Sequence, residues 1–286
     1  MKGYQNVTID GKDHGAVKRR KDSEFFNERK WENFIEPFLP EDCADMTFLE
    51  VGCNNGLFLK LAKNKGFRNV IGIDRDETVC NVAREYLGDD AEVIHAELDI
   101  SIFKESFLDK ILAADYVLLS NVHYYIFSTV FLHFLNIMRR RCRFMIIVSD
   151  EKSLSKLYRA KGPSDVVRRY FKDWEEVGYI DSSNIKKSVL PRRMYSVMFK
   201  SNVERKPLKD IVSCFGGYGR YFHRRVTKSI EKSKLNKISC TYPLLLRGNG
   251  SLLDGNHRLC SLELEGYKTA LCEVINEKSK HSNTSS

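Results

Sequence analysis

The sequence predicts an α/β fold: a parallel sheet covered by helices on both faces, followed by a smaller second unit. Three observations carry that expectation. Apolar strand-like runs alternate with helix-like segments from residue 47 onward. A strand, glycine turn, helix and second strand open the alternation in "TFLEVGCNNGLFLKLAKNKGFRNVIGID", residues 47–74. A polar stretch at 201–210, "SNVERKPLKD", then separates this region from a second apolar block.

Residues 1–45 are polar and then helical. In "SEFFNERKWENFIEPFL", Phe25, Phe26, Trp31, Phe34, Ile35 and Phe38 recur at spacings of three and four, and Pro40 closes the segment as a helical cap. The spacing next predicts strand 47–51, helix 56–66, strand 69–73 and helix 77–87. Strand 92–95, a short helix at 101–112, strand 115–120, helix 126–140 and strand 143–148 follow. "SDVVRRYFKDWEEVGY" reads as a helix, and "IDSSNIKKSVL" with "RRMYSVMFK" reads as a terminal strand pair that completes a domain over 46–200. After the linker a second domain spans 208–276, and the polar residues 277–286 form a disordered tail.

A chain of 286 residues with 42% hydrophobic content buries a substantial core. Its formal charge of +9 favours anionic partners, either a small anionic substrate or a nucleic acid. None of the eight cysteines forms a CxxC or CxxH pair, which argues against zinc and thioredoxin chemistry, so no metal is expected. Reduced cysteines and a charged amino terminus point to the cytoplasm. The apolar stretch "YVLLSNVHYYIFSTVFLHFLNIMRRR" carries Asn121, His123, His133 and Asn136, which are costly in lipid, so a strand plus an amphipathic helix is expected in place of a membrane span.

A glycine turn after a strand can hold a dinucleotide, a triphosphate or an adenosine-bearing sulfonium. A dinucleotide needs G-x-G-x-x-G and a triphosphate needs Gly-Lys-Ser/Thr. Here residues 50–56 read Glu-Val-Gly-Cys-Asn-Asn-Gly, with Asn54 at the second glycine position and the carboxylate of Glu50 opening the turn. A negative charge there repels phosphate and suits a ligand with a positive centre. Asp74 ends the second strand, where a carboxylate can accept from both hydroxyls of a ribose.

These residues resemble motif I and the following acidic position of class I S-adenosylmethionine-dependent methyltransferases, over about residues 30–200. The resemblance implies a Rossmann-like seven-stranded methyltransferase sheet with its last strand antiparallel. It also implies S-adenosylmethionine as cofactor, held by Glu50, Gly52, Cys53, Asn54 and Gly56 with Asp74 and Arg75. The "ELDI" stretch places Asp99 and Ile100 beside the adenine, and Asn121 ends the fourth strand next to the methyl group. Exocyclic-amine DNA methyltransferases carry Asp/Asn/Ser-Pro-Pro-aromatic at this last place. This chain has Asn121-Val122-His123-Tyr124-Tyr125, a pattern like that of small-molecule methyltransferases. His123, Tyr124 and Tyr125 are the candidate catalytic residues: an imidazole that titrates near neutrality could serve as a base, with the aromatics orienting the acceptor.

A second signal lies at 242–275. The hairpin-like "PLLLRGNGSLLDG" runs into a helix beginning at Asn256, a turn suited to an anion. Asp254, Gly255, Asn256, His257 and Arg258 resemble the turn of the ParB/sulfiredoxin-like fold, whose members bind nucleotides or phosphates. The resemblance implies a small C-terminal α+β domain and ATP or another nucleotide as its ligand. Asn256 replaces the cysteine of sulfiredoxins. Some relatives phosphorylate free serine, and Asp254 would be the acid of such a kinase. The function expected is methylation of a small anionic or phosphorylated metabolite. The alternatives are an RNA or DNA methyltransferase whose basic second domain grips the nucleic acid, and a non-catalytic partition-like nucleotide binder.

Overall fold

A computed structural model describes residues 5–15, 26–97, 113–123, 126, 128–150, 170–185, 193–211, 243–255, 258, 259, 262, 263 and 265–275. The chain opens with a hairpin, β1 (Val7–Ile9) and β2 (Lys12–His14). A short helix α1 (Phe26–Lys30) continues through one π turn to Ile35 and one 3-10 turn to Phe38. The alternating region follows as β3 (Thr47–Val51), α2 (Leu57–Lys65), β4 (Asn69–Asp74), α3 (Glu77–Leu87), β5 (Glu92–His95), β6 (Ala114–Ser120), α4 (Ser128–Met138) and β7 (Cys142–Asp150). Strands β8 (Glu175–Asp181) and β9 (Met194–Lys200) complete seven strands in the order β5-β4-β3-β6-β7-β9-β8. Pairing is parallel from β5 to β7, and β9 runs antiparallel to both its neighbours. This is the α/β methyltransferase sheet that the resemblance implied.

Strand residues alternate between two cores, as a period of two dictates. Phe48, Tyr116, Leu118, Ile146 and Val148 face one side, under Trp31, Phe34, Phe58, Leu59 and Ala83. Leu49, Val117, Leu119, Met145 and Ile147 face the other, under Val130, Phe131, Phe134, Leu135 and Met138 of α4. The α4 positions advance by three and four, which places one apolar stripe on the sheet. The long apolar stretch at 116–141 is thus a strand and an 11-residue helix, and among the described residues no helix is long and apolar enough to cross a membrane.

Two expectations about the strand edges change. Residues 175–181 form edge strand β8 and do not continue a helix, and 182–184 form a 3-10 turn where a strand was expected. Gly178 decides the register locally: it sits at a bulge against β9, and a Cβ there would lie 2.6 Å from the Phe38 ring. The polar "linker" contains strand β10 (Val203–Pro207), which pairs antiparallel with β13 (Thr269–Ile275). With β11 (Leu244–Arg247) and β12 (Leu252–Asp254) it makes a four-stranded sheet in the order β10-β13-β11-β12, over its own apolar core. The short helix expected at 101–112 and the tail 277–286 lie outside the described residues, as do positions 164–169 of the expected helix 164–179.

The second unit docks on the amino-terminal edge of the large sheet. Arg205 of β10 donates to both oxygens of Asp115 at the start of β6 (Nε–Oδ1 2.6 Å). Asp45, just before β3, accepts from the backbone amides of Lys268 and Thr269 at 2.9 and 3.1 Å. Arg68, before β4, stacks on the Tyr267 ring at 3.8 Å, and Asn69 donates to its hydroxyl at 2.8 Å.

Candidate functional site

The site lies at the carboxyl edge of β3, β4 and β6, opposite that docking surface. Strand β3 ends in Glu50 and Val51, and the chain turns back over β4 because Gly52 and Cys53 both donate to the Ile73 carbonyl, at 2.7 and 3.1 Å. Gly52 has φ +77, and a Cβ there would meet Val122 Cγ2 at 2.8 Å. Only glycine permits both the conformation and that approach, so the turn lies directly against the end of β6. Asn54 also takes a left-handed conformation, with φ 51.

Asp74 organises the turn. Its Oδ2 accepts from the Asn54 amide at 2.9 Å and its Oδ1 from the Asp76 amide at 3.0 Å. Each carboxylate oxygen keeps a second lone pair, so a vicinal diol can still be received. Arg75 stands at the rim, 55% exposed and 3.7 Å from Glu97.

Glu50 is buried, and neither carboxyl oxygen reaches a hydrogen-bonding partner among the described residues. Burial pushes its pKa well up and Asp74 adds to the rise, while Lys30 and the adjacent Gln5 amide lower it without meeting hydrogen-bond geometry. A buried acid without a partner is costly, and a cationic ligand would compensate it. Glu50 and Asp74 therefore fit an adenosyl sulfonium bearing a ribose.

Three of the expected ligands have structural roles as well. The Cys53 side chain is fully buried, and burial pushes its thiol pKa well up, so it is a small core group under the turn. Gly56 has φ +86, and a Cβ there would meet Leu87 Cδ1 at 2.9 Å, so it serves helix packing against α3. Asn121 ends β6 with φ 55, and its side chain accepts from the Asp150 amide at 3.2 Å, locking β6 to β7.

His123 sits next to this corner, buried with its ring 6.3 Å from that of Phe131. Burial lowers its pKa to about 4, so it is neutral around pH 7 and a poor proton acceptor. The expectation of an imidazole titrating near neutrality is corrected. Asp99, Ile100, Tyr124 and Tyr125 lie outside the described residues.

Two residues that the sequence reading left out enter the site. Lys30 is buried, with Nζ 3.4 Å from Ser120 Oγ and 5.3 and 5.5 Å from the rings of Phe26 and Phe58. Its i, i+4 spacing from Phe26 and Phe34 would have placed it on the buried face of the cap. Gln5, also buried, bonds the glycine turn from the amino-terminal hairpin.

The second expected site looks different. Arg258 donates to Asp254 Oδ2 and to the Pro243 carbonyl, both at 2.8 Å. Its guanidinium thus closes an Asp–Arg turn, packed against Gly255, whose φ is +108. Asn256 and His257 lie outside the described residues. Among the described residues no cluster of His, Cys, Asp and Glu could hold a metal ion.

A family model described as a methyltransferase domain matches residues 23–175. The type II methyltransferase M.VspI of Vibrio sp. (strain 343) is 31% identical over 71 residues, covering 24% of this chain and only 17% of its own length. Among solved structures, a TehB-like SAM-dependent methyltransferase of Corynebacterium glutamicum shares 16% identity over 58% of this chain and 84% of its own, with a TM-score of 0.43. An S-adenosylmethionine-dependent methyltransferase of Mesorhizobium loti shares 12% identity over 60% and 97%, with a TM-score of 0.45.

Proposed function

The chain belongs to the methyltransferase-domain family matched over residues 23–175, and on that premise we propose that it methylates a small anionic acceptor at the carboxyl edge of its large sheet. The observation that carries this reading is the buried Glu50, without a hydrogen-bonding partner, beside an Asp74 still able to accept a diol. S-adenosylmethionine supplies a methyl group on a positively charged sulfur. Asp74 would hold the ribose hydroxyls, Glu50 would balance the positive charge, and Gly52 would let the ligand approach the turn backbone. His123, kept neutral by burial, would orient the acceptor through a neutral hydrogen bond and leave its proton to solvent or to the acceptor's own acid group. Alignment and exclusion of water are enough for such a transfer.

The net charge of +9 supports an anionic acceptor. An anion or nucleotide at Asp254–Arg258 enters this reading only as an accessory ligand. The strands β3, β4 and β6 are five to seven residues long. At 3.3 Å per residue the two edges are about 17–23 Å apart, so that turn takes no part in methyl transfer. Kinase chemistry through Asp254 is not part of the reading either, because Arg258 already engages its carboxylate. The same charge favours a second reading, methylation of a nucleic acid.

Calorimetry with S-adenosylmethionine, S-adenosylhomocysteine and NAD tests the cofactor. The two sulfur ligands should bind and NAD should not. Asp74→Ala should weaken binding by about 1.5–3 kcal/mol, the scale of losing hydrogen bonds to a charged acceptor. No heat with either sulfur ligand would remove the reading. The acceptor class is tested by salt: turnover of a small anion changes gently with salt, whereas nucleic-acid binding should fall linearly on a log–log plot with a slope of about −0.9 per phosphate contact on B-DNA, or −0.7 on a single strand.

A further inference from the structure

Gln5 is a polar residue near the start of the chain, yet it is only 5% exposed. Its hydrogen bonds run to the glycine turn. The Gln5 amide donates to Asn54 Oδ1 at 2.9 Å, and its carbonyl accepts from Asn55 Nδ2 at 2.7 Å. Its side-chain Oε1 accepts from the Leu57 amide at 2.7 Å, and the rest of the carboxamide lies against Glu50. Helix α2 needs that acceptor, because Gly56 at its N-cap has no side chain to offer the free amides of the first turn.

The hairpin that follows keeps Gln5 in place. Strands β1 and β2 have three residues each, joined by Asp10 and Gly11 with φ 48 and 75, the left-handed pair that a two-residue turn demands. Strands this short are marginal alone. This pair is anchored by Val7, only 4% exposed on a strand that packs along α3, and by the His14 carbonyl, which accepts from Asn55 Nδ2 at 3.4 Å. Asn54 then links the hairpin to the ribose acid: its side chain accepts from Gln5 while its amide donates to Asp74.

We infer that Gln5 is a positioning residue for the cofactor, and that the hairpin over residues 5–14 is a strap that sets the shape of the glycine turn. The inference rests on the methyltransferase reading and adds a part of the chain that lies outside the family match at 23–175. Gln5 acts through Asn54, Leu57 and Glu50. It fixes the left-handed Asn54, caps α2 with a neutral oxygen, and sets a dipole beside the buried acid.

The test compares Gln5→Ala and Gln5→Glu in the full chain, by calorimetry with S-adenosylmethionine and S-adenosylhomocysteine and by melting without ligand. Gln5→Ala should raise both Kd values about tenfold, the scale of one lost cap and its neighbouring bonds. Gln5→Glu keeps the oxygen for the Leu57 amide but sets a second buried acid beside Glu50, so without ligand it should melt below the parent. A sulfonium compensates the added acid, so the variant should shift affinity towards S-adenosylmethionine relative to the uncharged thioether. A packing role alone would lower melting in both variants and leave both Kd values and their ratio unchanged, which would overturn the inference. A parent protein that binds neither ligand would instead remove the methyltransferase reading itself, so the two failures are distinct.

Discussion

Arg205→Ala should destabilise the chain by about 3–5 kcal/mol, because it leaves a buried carboxylate without its cation. Asp115 has no exposed side-chain surface and Arg205 only 10%. The guanidinium meets both carboxylate oxygens, the Thr47 amide donates to Oδ2 at 2.9 Å, and Arg205 Nη1 reaches Thr269 Oγ1 at 2.7 Å. Burial works against the Arg205 charge, yet the Asp115 carboxylate more than offsets it and raises the Arg205 pKa. The pair is therefore one electrostatic unit shared by the two sheets. Urea unfolding measures the loss, and a change below about 1 kcal/mol would show that water replaces the guanidinium without difficulty. Replacing both partners, Asp115→Leu with Arg205→Met, should recover part of the loss, because an apolar pair carries no desolvation cost while the buried Thr47 amide loses its acceptor. Folded Arg205→Ala protein should bind S-adenosylmethionine as the parent does, since the pair sits at the opposite edge of the sheet from Asp74.

The large sheet was legible because its strands are near-continuous apolar runs with glycine or charged punctuation, and the elements at 47–51, 77–87 and 92–95 match to the residue. The place of Asp74 at the end of the second strand was legible as well, but its bonds to the Asn54 and Asp76 amides were not. What escaped depends on partners far away in the chain. "EEVGYID" carries enough charge to look helical, and only β9 and the Phe38 ring make it a strand. "VERKP" looks like a linker until Arg205 finds Asp115 across 90 residues. The hairpin had a local signal, Asp10-Gly11, but its polar flanks gave no apolar alternation to support it. Gly72 gave no signal: a Cβ there would meet Leu59 Cδ1 at 2.5 Å and Cys53 Sγ at 2.7 Å, and only the folded turn reveals that crowding.

His123 should make the chain lose stability on acidification, and His123→Leu should remove that loss. Burial lowers the folded-state pKa from 6.5 to about 4. Between those two values the unfolded chain binds the proton and the folded chain does not. Stability therefore rises with pH across this window, is fully present above the unfolded pKa, and is lost as pH falls towards the folded one. At 1.36 kcal/mol per pKa unit the contribution is on the order of 3 kcal/mol between pH 7 and pH 4. Glu50 acts in the opposite sense, since its raised pKa means that the folded chain holds a proton that the unfolded chain has released. That term is common to parent and variant and cancels in their difference. Across unfolding free energies at pH 7, 6, 5 and 4, the parent should fall more steeply than His123→Leu, by on the order of 3 kcal/mol over the range. The methyl-transfer rate of the parent should show no limb near pH 6.5, because the imidazole is already neutral there. Parallel stability curves, or a rate limb near 6.5 that His123→Leu abolishes, would return His123 to the role of a titrating base.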